Sequence, residues 1–217
     1  MDKKSVLEAI ENLKKDSPKR KFSQAVDLIV GLKDLDMKKP EQQVDFFITL
    51  HHDTGRKMKV CAFAAAELMD EAKASCDMVI IPDEFAKYTK QKAKALAEQY
   101  DFFIAQATIM TKVAATFGRY LGVRGKMPNP KAGCVVPPKG VNLKALVEKL
   151  QKTLKVSAKK VPIIQLRVGT ESMDADKVAD NIIYIYDQII HHLPGERNNI
   201  KVVYLKLTMG KPIKLEK

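Results

Sequence analysis

The sequence predicts an α/β protein of two domains. One is a discontinuous α+β sheet domain of split β-α-β type formed by both chain ends, and the other is an inserted three-layer β/α domain. Three observations predict it. The ends carry alternating strands and amphipathic helices, the middle carries short continuous apolar runs between Ala/Glu/Lys-rich segments, and the first style returns near residue 155. Neither end has enough elements for a core of its own, αββ at the start and βαβ at the finish, so the two must share one. The expected boundaries are 1–58 with 156–217 for the outer domain and 59–155 for the insert.

Ser5-Val6-Leu7-Glu8 fits a capping box, and Val6, Ala9, Ile10 and Leu13 follow at helical spacing, so a first helix is expected to end in the polar run 14–18. Phe22, Val26, Leu28, Val30 and Leu32 favour a strand, with a helix through Phe22, Ala25, Val26 and Ile29 as the alternative. Val44–Leu50 is aromatic and β-branched, as strands are, and His51–Gly55 is expected to turn. Val60–Phe63, Met78–Ile81 and Phe102–Ala105 are too short and too continuously apolar for amphipathic helices; buried strands of a parallel sheet have this pattern. Helices are expected at 64–74, 83–99 (capped by Asp83), 108–117 and 142–153, which together make the insert Rossmann-like. Val161–Val168 is a strand whose early proline points to an edge strand or a first-residue position. Lys177–Leu193 is a helix with Asp174 as N-cap, stopped by Pro194-Gly195, and Ile200–Leu207 is the last strand.

Composition limits the function. The 217 residues carry 38 Lys and Arg against 26 Asp and Glu, a net charge of +12. That balance favours polyanionic partners. The densest stretch, Arg119 to Lys160, holds 11 basic residues and the single acid Glu148. Taken alone, such a run also suits a solvated basic face. No apolar run approaches the roughly 18 residues of a membrane span, and the N-terminal segment lacks the pattern of a signal peptide. Cys61, Cys76 and Cys134 are too few and scattered for a disulfide framework.

Catalytic and cofactor motifs fail on spacing. Gly118 to Gly125 is GxxxGxxG, neither GxGxxG nor a phosphate loop ending in GK[ST]. His51-His52 and His191-His192 are adjacent pairs that cannot share one face, and the cysteines show no metal spacing, so no metal and no cofactor is expected. Two segments carry more specific chemistry. Lys19-Arg20-Lys21-Phe22-Ser23-Gln24 sets cations, for phosphates, beside an aromatic that can stack and side chains that can bond a 2′-hydroxyl or base edge. Thr208-Met209-Gly210-Lys211-Pro212 ends the last strand with a hydroxyl, an adaptable apolar surface and a residue that allows close backbone approach. If both lie at neighbouring strand ends, they form one patch.

KRKFSQAVDL at 19–28, GRYLGVRGKMPNPKAG at 118–133, VGTES at 168–172 and LTMGKP at 207–212 occur in an order that resembles the universal stalk-protein family of the large ribosomal subunit, ribosomal protein "L-one", in its archaeal type. The resemblance covers essentially the whole chain. It implies that the discontinuous domain binds the mobile-stalk rRNA beside the path of departing deacylated tRNA. It further implies translational repression through the protein's own mRNA, no enzymatic activity, a cytoplasmic ribosomal location and a monomer when free. The RNA contacts it implies are Lys19, Lys21, Phe22, Ser23, Gln24, Thr208, Met209, Gly210 and Lys211, with the turn at Gly169 and Thr170. Arg119, Arg124, Lys126, Asn129 and Lys131 are a secondary RNA contact or hinge. Gln24 stands where the family usually has an acid, and Val123 where it often has a proline, which should loosen a loop there. The competing readings are a nucleotide-binding enzyme using the inserted β/α domain and a generic cationic DNA-binding module.

Overall fold

The computed structural model describes residues 1–18, 20–138 and 141–215. The chain forms two compact units, Met1–Arg56 with Lys152–Lys217, and Lys57–Gln151.

In the first unit, β1 (Ala25–Leu32) is the hub. Its side chains alternate, with Val26, Leu28, Val30 and Leu32 buried, because successive residues of a strand point to opposite faces. It pairs antiparallel with β8 (Ile163–Thr170) on one side and β9 (Ile200–Leu207) on the other; β10 (Ile213–Leu215) adds to β9, giving the order β10-β9-β1-β8. Since β8 and β9 both oppose β1, they run parallel to each other. The helix joining them, α6 (Ala175–His192), makes a β-α-β unit with β1 slotted between its strands. Val178, Ile182, Ile185, Tyr186 and Ile189 form the buried face of α6, and Val6, Ala9, Ile10 and Leu13 that of α1 (Lys3–Asp16). Both stripes join the strand side chains in one apolar cluster. Each large aliphatic side chain buried there contributes about 1.5–3 kcal/mol.

Several expectations need correction here. The flanks build two sheets, because β2 (Val44–Thr49) pairs with β7 (Thr153–Ala158), a strand absent from the sequence reading, instead of joining the larger sheet. Ser5 does not cap α1: the helix starts at Lys3 with Asp2 in the cap position, and Val6 N–H donates to the Asp2 carbonyl. Phe22 lies before β1, which starts only at Ala25.

The second unit is a parallel sheet of order β4-β3-β5-β6, from β3 (Val60–Phe63), β4 (Met78–Ile80), β5 (Phe102–Gln106) and the two-residue β6 (Val135–Val136). Helices α2 (Met69–Ser75), α3 (Lys90–Gln99), α4 (Met110–Val123) and α5 (Leu143–Gln151) connect and cover it, α2 packing beside α5 and α3 beside α4. The chain steps one way along the sheet from β3 to β4 and the other way afterwards; right-handed crossovers therefore put α2 on the face opposite α3 and α4. Phe63, Phe85, Phe103 and Phe117 meet in edge-to-face and stacked pairs at its centre.

The expected helix 83–99 is broken into a 3-10 turn at Pro82–Lys87 and α3, so Asp83 caps no long helix. More consequentially, α4 continues through Gly118 and Gly122 to Val123. The stretch expected to be a loop is helical because Val113, Phe117 and Leu121, one turn apart, are all fully buried. Val123 closes that helix with 87% of its surface exposed, so a proline's absence here loosens no loop.

Candidate nucleic-acid interface

The antiparallel pairing places the start of β1, the end of β8 and the end of β9 at one edge: Ala25 faces Thr170, and Val26 faces both Gly169 and Leu207. Beyond that edge the chain forms a rim from three segments far apart in sequence, residues 20–24, 170–172 and 208–210. Phe22 and Met209 crown it, 53% and 57% exposed, whereas side chains of their type are usually buried. Arg20, Lys21, Phe22 and Ser23 line a shallow groove whose other wall is Glu171 and Ser172. Ser23, Thr208 and Lys211 are exposed as well. Lys19, also expected to bind here, lies outside the described residues.

Gln24 does not face the groove. It is fully buried, and its amide ties the rim together: Nε2 donates to Ser17 Oγ and the Pro18 carbonyl, both at 3.4 Å, and Oε1 accepts the Met209 N–H at 3.1 Å. This corrects its expected role as an RNA contact to one of support. Its backbone carbonyl accepts Glu171 N–H at 2.9 Å, so one residue touches all three segments. Thr208 extends the β1–β9 ladder: Ala25 N–H donates to Thr208 Oγ1 at 3.0 Å, and Thr208 N–H to the Ala25 carbonyl at 3.1 Å. Gly210 N–H closes the turn on the Leu207 carbonyl, and a side chain at 210 would meet Ser17 Oγ at 3.2 Å and Leu207 Cβ at 3.3 Å.

Gly169 and Thr170 are likewise buried and become supports. A Cβ on Gly169 would stand 2.8 Å from Val178 Cγ2, so glycine allows α6 to close on the strand. Thr170 Oγ1 shares a hydrogen bond of 3.1 Å with Ser172 Oγ, which approaches Ser23 Oγ at 3.5 Å. Just before this exit the β1–β8 register shifts, leaving Val168 without a partner on β1. Its carbonyl accepts from Nδ2 of Asn181, a fully buried residue of α6 whose amide also bonds the backbone of His52. Arg20 belongs to the cationic run 19–21 already singled out in the sequence, whereas Glu171 and Ser172 were not named there as groove residues; their signal was the two polar residues that follow the strand.

Behind the rim, on the open face of the sheet, Asp27 sits opposite Arg167 of β8 and Lys206 of β9. Burial raises its carboxyl above the ordinary aspartate value although both cations pull it down. Arg167 is lowered, by burial first and then by Arg56, against the pull of Asp27.

The secondary residues separate. Arg119 projects from α4 and Lys131 from the following 3-10 turn, both exposed. Arg124 pairs with Glu98. Lys126 Nζ donates to the carbonyls of Ala97 and Tyr100 at 3.0 and 2.6 Å, finishing the C-terminus of α3. Asn129 caps its own turn by accepting Lys131 N–H at 2.9 Å. Lys126 and Asn129 therefore have local roles in the fold, each partly exposed.

His192 stacks on Phe46 with centroids 3.8 Å apart, and His51 leans on Tyr184 at 4.6 Å. Among the described residues no group of three or more His, Cys, Asp or Glu is placed to hold a metal, and no helix is long and apolar enough to cross a membrane.

Comparison with known proteins gives one consistent result. Residues 13–211 match the family described as "Ribosomal protein L1p/L10e family". Over its full length the chain is 38% identical to the "Large ribosomal subunit protein uL1" of Thermococcus kodakarensis, covering 99% of that protein. It is 37% identical to the protein of the same name from Pyrococcus horikoshii, with 99% of this chain and 97% of that one covered. The corresponding protein of Methanothermobacter thermautotrophicus is 38% identical, with 97% and 98% covered.

Proposed function

The chain belongs to the ribosomal protein L1p/L10e family, in its archaeal form, and from that membership we propose that its rim grips the mobile-stalk rRNA of the large subunit. It is a ribosomal protein of the large-subunit type and not an enzyme, which removes the nucleotide-binding alternative. The observation that carries the rim assignment is that Phe22 and Met209, two exposed apolar side chains, sit on segments that the hydrogen bonds of Gln24 and Thr208 tie to one strand edge. A folded RNA junction covers such a surface by stacking on the ring and the thioether. The hydroxyls of Ser23, Ser172 and Thr208 then meet ribose and base edges, and Arg20, Lys21 and Lys211 lie near phosphates. The framework is held before the RNA arrives, so little ordering cost is left for binding.

The same rim would bind a similar fold in the protein's own mRNA and so repress its translation. Carried on the stalk, the protein would assist departing deacylated tRNA. It would act in the cytoplasm, as a monomer when free of the ribosome. Arg119 and Lys131 serve at most as secondary phosphate contacts.

Filter binding to a transcript of the stalk rRNA, beside a scrambled transcript and duplex DNA, tests the assignment. Met209→Asp and Phe22→Ala should each cost about 2–4 kcal/mol of binding, and Lys131→Ala less than about 1. Equal losses at Lys131 and Met209 would move the site to the inserted unit. Competition by duplex DNA as effective as by the transcript would favour the generic cationic module.

A further inference from the structure

A second hollow adjoins the Phe22 groove and shares Ser172 with it. Its walls come from His51, His52 and Asp53 in the turn after β2, from Lys152, and from the segment entering α6. Its volume of about 380 Å³ lies in the lower part of the range of small-ligand sites. The walls are built, not merely adjacent: Asn181 accepts the His52 N–H and donates to the His52 carbonyl on one side, and donates to the Val168 carbonyl beneath the 170–172 exit on the other. One buried amide thus sets the separation of the two sides.

The charge pattern identifies the ligand chemistry. Lys152 and Lys177 are matched by Asp53 and Asp174, with Lys177 Nζ only 3.1 Å from Asp174. A phosphate cradle would carry a cationic excess. Here donors and acceptors are mixed, as a nucleobase edge and a 2′-hydroxyl require, both of which donate and accept.

We propose that this hollow receives one unstacked nucleotide of the RNA held by the rim, with the Asp53 carboxylate accepting from its base or ribose. The proposal rests on the reading of the rim as an RNA-binding surface. The RNA would cross Phe22, turn at Ser172 and place the next unpaired nucleotide between the two walls.

Asp53→Asn tests the sign of the effect. Asn keeps the side-chain oxygen that accepts the Gly55 N–H at 3.1 Å, so the turn persists. If the carboxylate only sits near a polyanion, neutralising it tightens binding to the stalk rRNA transcript. If it accepts from a nucleotide, binding weakens, by an expected five- to twenty-fold, with the salt slope unchanged. A 2′-hydroxyl acylation footprint should show one unpaired nucleotide protected by the wild type and exposed with Asp53→Asn, the rest of the footprint persisting. Unchanged or tighter binding, or an identical footprint, overturns the proposal. Phe22→Ala is measured in parallel. Loss there with none at Asp53→Asn removes the second hollow alone, whereas no loss at Phe22→Ala removes the rim on which it depends.

Discussion

Replacing Gln24 by methionine isolates the contribution of the rim's internal framework. Methionine matches the glutamine in length and flexibility, so the cavity and strain terms stay small in this fully buried position. What disappears is the 3.1 Å bond from Met209 N–H and the two 3.4 Å bonds to Ser17 Oγ and the Pro18 carbonyl. A typical net contribution is about 1 kcal/mol per hydrogen bond, less for the two long ones, and the Pro18 carbonyl loses a partner. Together this gives an expected destabilisation of about 1.5–3 kcal/mol, read as a lower urea midpoint with unchanged m-value. RNA affinity should fall by about tenfold or more, because Met209 must then be ordered at the expense of binding. Gln24→Glu keeps the acceptor for Met209 N–H but sets a buried carboxylate oxygen against the Pro18 carbonyl, so it should hold the Met209 seat while lowering stability. A Gln24→Met protein within about 0.5 kcal/mol of wild type, with full affinity for the transcript, would refute the view that this amide organises the rim.

Other expectations follow from the same geometry. The folded-state pKa of Asp27 is raised, so the folded chain binds more protons than the unfolded one just above the ordinary aspartate value; its contribution to stability is present at low pH and lost as pH rises through the raised pKa. Asp27→Asn should flatten this part of the stability profile in urea titrations between acid and neutral pH. Lys126→Ala should lower stability by about 1–2 kcal/mol through the two freed carbonyls of α3, while leaving stalk-rRNA affinity within threefold; the two readouts together separate a helix cap from an RNA contact. Burial raises all three thiols, Cys76 and Cys134 to about 11 and Cys61 further. With Cys61 and Cys134 buried, native protein at pH 8 should react with a thiol reagent slowly and first at Cys76, and all three should react at once in denaturant.

Periodicity made the long elements legible. β1, β9 and α6 announce themselves because each must bury one face, and burial alternates in the sequence wherever it alternates in space. β7 escaped because Leu150 and Leu154 continue the spacing of α5, so the change from helical to strand period at Thr153 is hidden in a run that suits both. β6 and β10, two and three residues long, carry no period at all. In α4, two glycines that each cost about 1 kcal/mol in a helix were outweighed by burial of Phe117 and Leu121. The exposed chemistry of residues 20–23 and 208–209 could be inferred from residue type. The inward turn of Gln24 could not, since its partner at Met209 is 185 residues away and a polar side chain is as suited to a buried knot as to a ligand.

The position of β1 has a further consequence for synthesis. This strand leaves the ribosome among the first 32 residues, yet both of its neighbours end beyond residue 169, one of them at Leu207. An amphipathic strand therefore waits, unpaired, while the whole of 57–151 is translated and has the chance to fold by itself. The sheet can close on β1, and Met209 can seat on Gln24, only once the chain has been made through Leu207 and Met209, after the whole of the second unit.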